Sequence, residues 1–332
     1  MSRISGLREK ARAQKRTIVL PEGDDPRVVK GASFAVKDGI ADVVLLGKEA
    51  EVRDLADEHS VSLDGVTLVD PSSHEAGADI INAYYELRKN KGVTPEQAKD
   101  ILTGNPVFYG AMMTRMGMAD GFVAGANHTT GDVARAAIQC IKIEKEIGTV
   151  SSSFVMELEN CPFGENGLFV YGDCAIIPYP SSRQLSGIAI ASAGLFRKLF
   201  GIEPRVALLS YSTKGSAEGE SIDKVREAFE KVRAKKPDLM IDGELQIDSA
   251  LVPEIAGMKC KGSDVAGKAN VLIFPNLDAG NISYKLTQRL GGARAVGPIL
   301  QGLEKPCSDL SRGCSWEDVV DVTAVVATLS QE

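Results

Sequence analysis

Aromatic side chains are scarce in this sequence, at 5% of 332 residues with a single tryptophan, while Ala, Val, Ile, Leu and Gly are plentiful. That balance disfavours an aromatic-rich β-sandwich and suits parallel sheets covered by helices. Histidine is scarcer still. His59, His74 and His128 are the only three, and no H-E-x-x-H occurs, so a histidine-rich zinc site is not expected. No stretch approaches the ~18 consecutive apolar residues of a membrane span, and the first ten residues are charged, without an apolar signal core. Runs of arginine or lysine are missing and the net charge is −7, which argues against nucleic acid as a partner. The six cysteines (140, 161, 174, 260, 307 and 314) form no C-x-x-C pair and no metal-site spacing, so reduced thiols in a cytoplasmic protein are expected.

What is present alternates. Strand-like segments at residues 17–21, 41–47, 66–70 and 119–125 are separated by helix-like segments at 5–15, 27–38, 49–58, 73–91 and 94–104. This alternation predicts βαβ units with helices on both faces of a parallel sheet. The middle of the chain departs from the pattern. Residues 151–158 and 167–173 read as neighbouring strands joined by the turn Cys161-Pro-Phe-Gly-Glu-Asn-Gly167, a hairpin. A long helix is predicted over 182–200, and a valine- and alanine-rich helix over 319–332. A chain of 332 residues exceeds the size of most single cores, so two α/β domains are expected. Their boundaries fall near Gly148 and Gly297: residues 1–147 with 298–332, a discontinuous domain I if the last helix returns to the first sheet, and residues 148–297, domain II.

One motif is a false match. Gly262-Ser-Asp-Val-Ala-Gly-Lys-Ala269 nearly fits the phosphate loop G-x-x-x-x-G-K-[S/T], but Ala269 replaces the hydroxyl and the run leads into a strand, not a helix. G-x-G-x-x-G is absent altogether.

Four stretches carry polar groups where chemistry could occur. In Gly125-Ala-Asn-His-Thr-Thr-Gly-Asp132 a strand ends and a helix begins near Thr130, with Arg135 one turn further on. Backbone N–H groups and a helix dipole make an anion site at such a junction, and a plain helix cap with a surface arginine accounts for the same residues. Ser210-Tyr-Ser-Thr-Lys214 ends another strand, and taken alone it reads more plainly as a polar turn capped by Ser216. Arg88 lies on a helix behind Tyr84-Tyr-Glu-Leu. Near the C-terminus, Cys307-Ser-Asp-Leu-Ser-Arg-Gly-Cys-Ser-Trp-Glu-Asp318 packs two thiols, a guanidinium and three carboxylates into twelve positions. Cys314 beside Arg312 raises the possibility of a thiolate nucleophile, against the plainer reading of a small buried residue. Ser315-Trp-Glu-Asp318 matches a capping box, so Asp318 has a structural use as well.

Together these stretches resemble the phosphate acetyltransferase (phosphotransacetylase) family, in its short form. The matching runs include Tyr84 to Gly92, Gly125 to Asp132 with Arg135, Ser210 to Ser216, Ile241-Asp-Gly-Glu-Leu-Gln-Ile-Asp248, Gly267-Lys-Ala-Asn-Val-Leu-Ile-Phe-Pro275, Gly297-Pro-Ile-Leu-Gln-Gly302 and Asp309-Leu-Ser-Arg-Gly-Cys-Ser315, collinear over nearly the whole chain. The resemblance implies two α/β domains facing a cleft in an isocitrate/isopropylmalate dehydrogenase-like fold, a homodimer, and reversible acetyl transfer between acetyl phosphate and coenzyme A. Coenzyme A is then a substrate and no cofactor is tightly bound. It puts Asp318, Arg312 and Ser311 in catalysis, and Arg88 and Arg135 on the acyl phosphate. Asn127, His128, Thr129, Thr130, Ser210, Ser212 and Lys214 complete the substrate-binding set, with no metal. Two positions depart from the family pattern: Ala136, where proline is expected, and Trp316, where a small or acidic residue is usual.

The implied chemistry has an energetic problem. An ordinary thiol has a pKa of about 8.5 and an ordinary aspartate about 3.9, so complete proton transfer between them is uphill by roughly 6 kcal/mol. Asp318 as base therefore needs desolvation, an arginine that favours the thiolate, or concerted attack. Ser311 would donate to the developing oxyanion and Arg312 would neutralise it. The competing readings are a butyryl-phosphate transferase, a decarboxylating dehydrogenase, and a non-catalytic domain sensing acyl phosphate or coenzyme A.

Overall fold

The computed structural model describes residues 2–331. From the N-terminus the chain forms α1 (Arg3–Ala13), β1 (Thr17–Leu20), α2 (Pro26–Lys37), β2 (Asp42–Leu46), α3 (Glu49–Glu58) and β3 (Thr67–Val69). Then come α4 (Gly77–Arg88), α5 (Pro95–Gly104), α6 (Pro106–Arg115), β4 (Gly121–Ala124) and α7 (Thr130–Cys140). The middle holds β5 (Ser151–Glu157), β6 (Leu168–Gly172), α8 (Ser182–Phe200), β7 (Val206–Leu209), α9 (Glu220–Lys235) and β8 (Ile241–Leu245). The chain continues through α10 (Ile247–Leu251), α11 (Pro253–Lys259), β9 (Val271–Ile273), α12 (Leu277–Arg289) and β10 (Arg294–Gln301). It closes with β11 (Cys307–Asp309) and α13 (Trp316–Ser330). Glu332, the last residue of the expected C-terminal helix, lies outside the described residues, as does Met1. No helix among the described residues is long and apolar enough to cross a membrane.

The chain divides into two compact units, one of Ser5–Lys142 with the chain from Leu303 onward, the other of Ile143–Gly302 with the first residues up to Ile4. In the first unit the strand order is β3-β2-β1-β4-β11 and every pairing is parallel. The central strands are short and almost wholly buried, as the apolar runs Ile18-Val-Leu20 and Phe122-Val-Ala124 require between two helical layers. In the second unit the order is β10-β5-β6-β9-β7-β8; β5 is antiparallel to both neighbours, as the predicted hairpin requires, and the rest are parallel.

Three elements are not visible as periodic patterns. Helix α6 is buried from Val107 to Thr114 and therefore has no polar face to mark a helical period. Strand β10 is interrupted by Gly297-Pro298, and β11 reads Cys-Ser-Asp, three buried residues of which two are polar. In contrast α13 begins where the capping box places it. Ser315 Oγ accepts from the Asp318 N–H at 3.2 Å and Asp318 Oδ2 accepts from the Ser315 N–H at 2.8 Å.

Candidate active site

Strand β4 pairs in parallel with both β1 and β11, with Ala124 opposite Asp309, so the carboxyl ends of the three strands lie side by side. Each end runs through a short loop into a helix: β1 into α2, β4 into α7, β11 into α13. Loops at strand carboxyl ends are where open α/β sheets place their ligands. The first unit builds its polar centre from these three loops.

The first loop contributes Glu22, which is 1% exposed. Its Oε2 accepts from the N–H groups of Gly125 and Ala126 at 2.8 Å, and its Oε1 from those of Asn127 and His128 at 2.9 Å. The His128 ring adds Nδ1 at 2.8 Å from Oε1. Burial pushes the Glu22 carboxyl up, but the His128 ring and the backbone donors outweigh it and leave the pKa lowered. His128 moves the other way, raised chiefly by its bond to Glu22. The backbone donors of residues 125–128, ahead of the helix, are thus engaged by the chain's own carboxylate. Beyond them the junction carries the side chains of Asn127, His128, Thr129 and Thr130, of which the two threonine hydroxyls donate to Asp132 and Asp309. Gly125 has φ +117°, and a Cβ there would collide with Asp309 Oδ1, so this turn admits glycine alone.

Arg27, in the first turn of α2, fastens the three loops to one another. Its Nη1 donates to the carbonyls of Arg312 at 2.7 Å and Cys314 at 3.1 Å, and its Nη2 to the Ala126 carbonyl at 2.9 Å. Asp25, the N-cap of α2, holds the guanidinium with Oδ2 at 2.6 Å from Nη2 and Oδ1 at 3.0 Å from Nε. Thr130, the first residue of α7, ties the second loop to the third by donating its hydroxyl to Asp309 Oδ2 at 2.6 Å. Asp309 is wholly buried, and its Oδ1 has no hydrogen-bond partner among the described residues. Burial pushes its pKa up to about 7, with the Thr130 bond and, more weakly, the Leu310 backbone N–H opposing the rise and the Glu22 charge adding to it.

Beyond Asp309 the chain turns outward. Ser311 and Arg312 are exposed, the turn being closed by Cys314 N–H to the Ser311 carbonyl at 2.8 Å and Gly313 N–H to Ser311 Oγ at 3.2 Å. Cys314 is buried, and that burial raises its thiol to about 11 against the opposing charge of Arg27. It is therefore a protonated thiol at neutral pH, not an activated nucleophile. Trp316 packs against Phe34, with ring centroids 5.2 Å apart, and carries the Lys30 ammonium over its face at 4.6 Å.

Arg135 lies one turn into α7, exposed, and pairs with Asp132 at 2.9 Å, while Asp132 also receives the Thr129 hydroxyl at 2.7 Å. Arg88 is at the end of α4, beside Tyr84 and Cys140, where its charge works against the burial that raises both groups; its Nε is buried and has no partner among the described residues. Ser210, Ser212 and Lys214 belong to the other unit. There Ser212 Oγ donates to Glu244 Oε1 at 2.9 Å, Ser210 Oγ accepts from the Ser212 N–H at 3.4 Å, and Lys214, at φ +47°, pairs with Asp242. Glu244 also receives Arg226 and the Gly215 N–H; these donors outweigh burial and bring its pKa down to about 2.

The sequence alone does not single out Glu22, Asp25, Arg27 or Asp309. Each is a charged residue in or beside a loop, and its burial depends on strands distant in sequence. The one signal was the strand–loop–helix form of residues 17–38, with Pro26 opening the helix.

The architecture is that of an α/β enzyme with a polar centre at the carboxyl ends of parallel strands. A sequence profile of the phosphate acetyl/butaryl transferase family matches residues 2–327, so the chain belongs to that family. It is 51% identical over 331 residues to the phosphate acetyltransferase of Thermoanaerobacterium thermosaccharolyticum, covering 100% of both chains. Among solved structures, a phosphotransacetylase from Streptococcus pyogenes superposes with a TM-score of 0.93 at 42% identity, over 99% of each chain. The 4-hydroxythreonine-4-phosphate dehydrogenase of Klebsiella pneumoniae shares the fold alone, with a TM-score of 0.53 at 13% identity over 96% of this chain and 100% of that one. The protein is thus an acyltransferase, and phosphate acetyl transfer is its activity.

Proposed function

We propose that the chain transfers acetyl reversibly between acetyl phosphate and coenzyme A in a ternary complex, the coenzyme A thiolate attacking the acetyl carbonyl directly. Arg88 and Arg135 hold the phosphoryl group with the side chains of Asn127, His128, Thr129 and Thr130. Ser311 donates to the oxyanion that develops on the carbonyl, and Arg312 offsets its charge. Asp318 accepts the thiol proton as the sulfur attacks, so the sulfur reaches the carbonyl with thiolate character, and the tetrahedral intermediate collapses by breaking the carbon–oxygen bond and releasing phosphate. Ser210, Ser212 and Lys214 belong to the proposed substrate-binding set. Coenzyme A is a substrate here and not a resident cofactor, and the enzyme works as a cytoplasmic homodimer with residues 1–147 and 298–332 as one domain and 148–297 as the other.

The observation that carries this reading is the Arg27 fastening. It ties the turn bearing Ser311 and Arg312 to the loop that leads into Asn127 to Thr130, which supports reading the two as an oxyanion donor and an anion subsite. The buried, protonated Cys314 supports direct attack over a covalent acyl-cysteine. The test is thioester formation from acetyl phosphate and coenzyme A, with propionyl and butyryl phosphate as comparators. Turnover with acetyl phosphate is expected to exceed that with butyryl phosphate, and absence of thioester from every acyl phosphate overturns the proposal.

A further inference from the structure

Asp309 stands out among the polar residues of the first unit. It ends β11, two residues before Ser311, and is wholly buried. One oxygen accepts from Thr130, which opens α7, while the other has no partner among the described residues. A buried carboxylate with an unsatisfied oxygen is costly, and the neutral acid is much less so. The charged groups on the segments around it are Glu22, Asp24, Asp25 and His128 on the neighbouring loops, Arg27 at the start of α2, Asp132 and Arg135 on α7, Glu317 and Asp318 on α13, and Arg312 on its own loop. Asp321, also on α13, is engaged by Arg8. Glu22, Arg27, Arg135 and Asp132 all have opposite charges within their own hydrogen-bonding pairs. No cation forms an ion pair with Asp309 within 4 Å among the described residues.

We propose that Asp309 is a positioning residue for the acyl phosphate, holding Thr130 and the Ser311–Arg312 turn in register and taking up one proton when the anion binds. This rests on the reading that Thr130 lines the acyl-phosphate subsite. The physical cause is plain: Thr130 touches Asp309, so an anion at Thr130 brings negative charge to within a few ångströms of the carboxyl and favours its neutral form. By reciprocity, ionising Asp309 weakens anion binding by the same factor. The group changes charge near neutral pH, its pKa being raised to about 7 by burial, so the coupling operates in the working range of an enzyme.

The proton comes from solvent and returns to it when the phosphoryl group leaves. At saturating coenzyme A, the KM for acetyl phosphate should therefore rise above pH 7, at most about tenfold per pH unit for one linked proton. Asp309→Asn keeps an acceptor for Thr130 and cannot ionise, so its KM should stay within about twofold from pH 7 to 9. Asp309→Ala should raise KM at every pH. Calorimetry of acetyl phosphate binding to the wild-type enzyme at pH 8, without coenzyme A and in two buffers of different ionisation enthalpy, reads the proton directly and needs no variant to fold. Uptake approaching one proton that is lost in Asp309→Asn supports the proposal, whereas uptake unchanged in that variant assigns the proton to another group, such as His128, and overturns it. No uptake, or a wild-type pH slope of KM in Asp309→Asn, overturns it. Thr130→Val separates the two levels of the argument: unchanged KM in that variant refutes the subsite reading, whereas raised KM with no proton uptake refutes the linkage alone.

Discussion

Nδ1 of His128 lies 2.8 Å from Oε1 of Glu22, and that same carboxylate gathers the four successive N–H groups of residues 125–128. One buried side chain on the β1–α2 loop thus sets the shape of the β4–α7 loop. Five donors converge on two oxygens, and this satisfies a charge that burial would otherwise penalise.

Glu22→Gln replaces an acceptor-only group with one carrying donors, so at least one N–H loses its partner. A loss of about 3–5 kcal/mol is expected from urea unfolding, the range for removing one member of a buried pair. The pH dependence follows from the two shifts. Glu22 is lowered from 4.5, so its contribution is present above that value and is lost as pH falls through the folded pKa. His128 is raised from 6.5, so its contribution is complete below that value and is lost as pH rises through the folded pKa. The difference between wild type and variant should therefore be greatest at about pH 5–6.5 and shrink at pH 9. A difference independent of pH would refute the charge-pair account.

Arg27→Lys should uncouple the loops while keeping the charge. A single ammonium cannot span the carbonyls of Ala126, Arg312 and Cys314 together with Asp25, which the guanidinium fork does. The expected result is a fall in kcat of about ten- to a hundredfold with an unchanged far-ultraviolet circular dichroism spectrum, since misplacement by about 1 Å suffices. Wild-type kcat in Arg27→Lys would show that the fastening has no bearing on the chemistry.

Cys314→Ala should keep most of the activity. The thiol is buried and raised to about 11, so at pH 8 the folded enzyme should also resist iodoacetamide at this position. A small stability loss of about 1–2 kcal/mol is expected from the missing sulfur. A well-folded but inactive variant would restore the cysteine as nucleophile.

Asp318 serves the α13 capping box, and the proposed proton transfer draws on the same carboxylate. Two substitutions separate these uses. In Asp318→Asn the side-chain carbonyl can still accept from the Ser315 N–H, so stability should change by less than about 1 kcal/mol. A general base would be lost, and kcat should fall by about 10²–10⁴. Ser315→Ala should do the reverse, costing about 1 kcal/mol of stability and sparing kcat. If both variants lose stability alone, Asp318 is only a cap.

Asp309→Asn should be more stable than wild type in alkali. Because the folded pKa is raised from 3.8 to about 7, the stability associated with the neutral acid is complete below about pH 4 and lost as pH rises through 7. The gain should reach at most about 4 kcal/mol at pH 8 and vanish near pH 4, as read from urea midpoints. Equal pH dependence in the two proteins would contradict the raised pKa.

Much of the fold is legible in the sequence because it depends on local pattern. The short aliphatic strands, the 151–173 hairpin, the helix Ser182–Phe200 and the Ser315–Asp318 capping box are all written in neighbouring residues. The family motifs likewise mark Arg135, Ser311, Arg312 and Asp318 without reference to structure. Strand β11 escapes notice because Ser308 and Asp309 are buried polar groups, so no apolar alternation marks it, and α6 because burial all round removes its period.

The sequence by itself therefore determined most element types and the family, and put forward the candidate reactive side chains, since propensity, capping and motif spacing act within a few residues. Only the tertiary structure decided which charges are buried and whom they meet. Glu22 lies more than a hundred positions from His128, and Arg27 nearly three hundred from Cys314. Parallel pairing of β1, β4 and β11 brings them together, and pairing across such distances leaves no local trace in the chain. Once assembled, the same geometry takes the junction's amide donors for Glu22, keeps Cys314 protonated and leaves Asp309 buried with one oxygen unsatisfied.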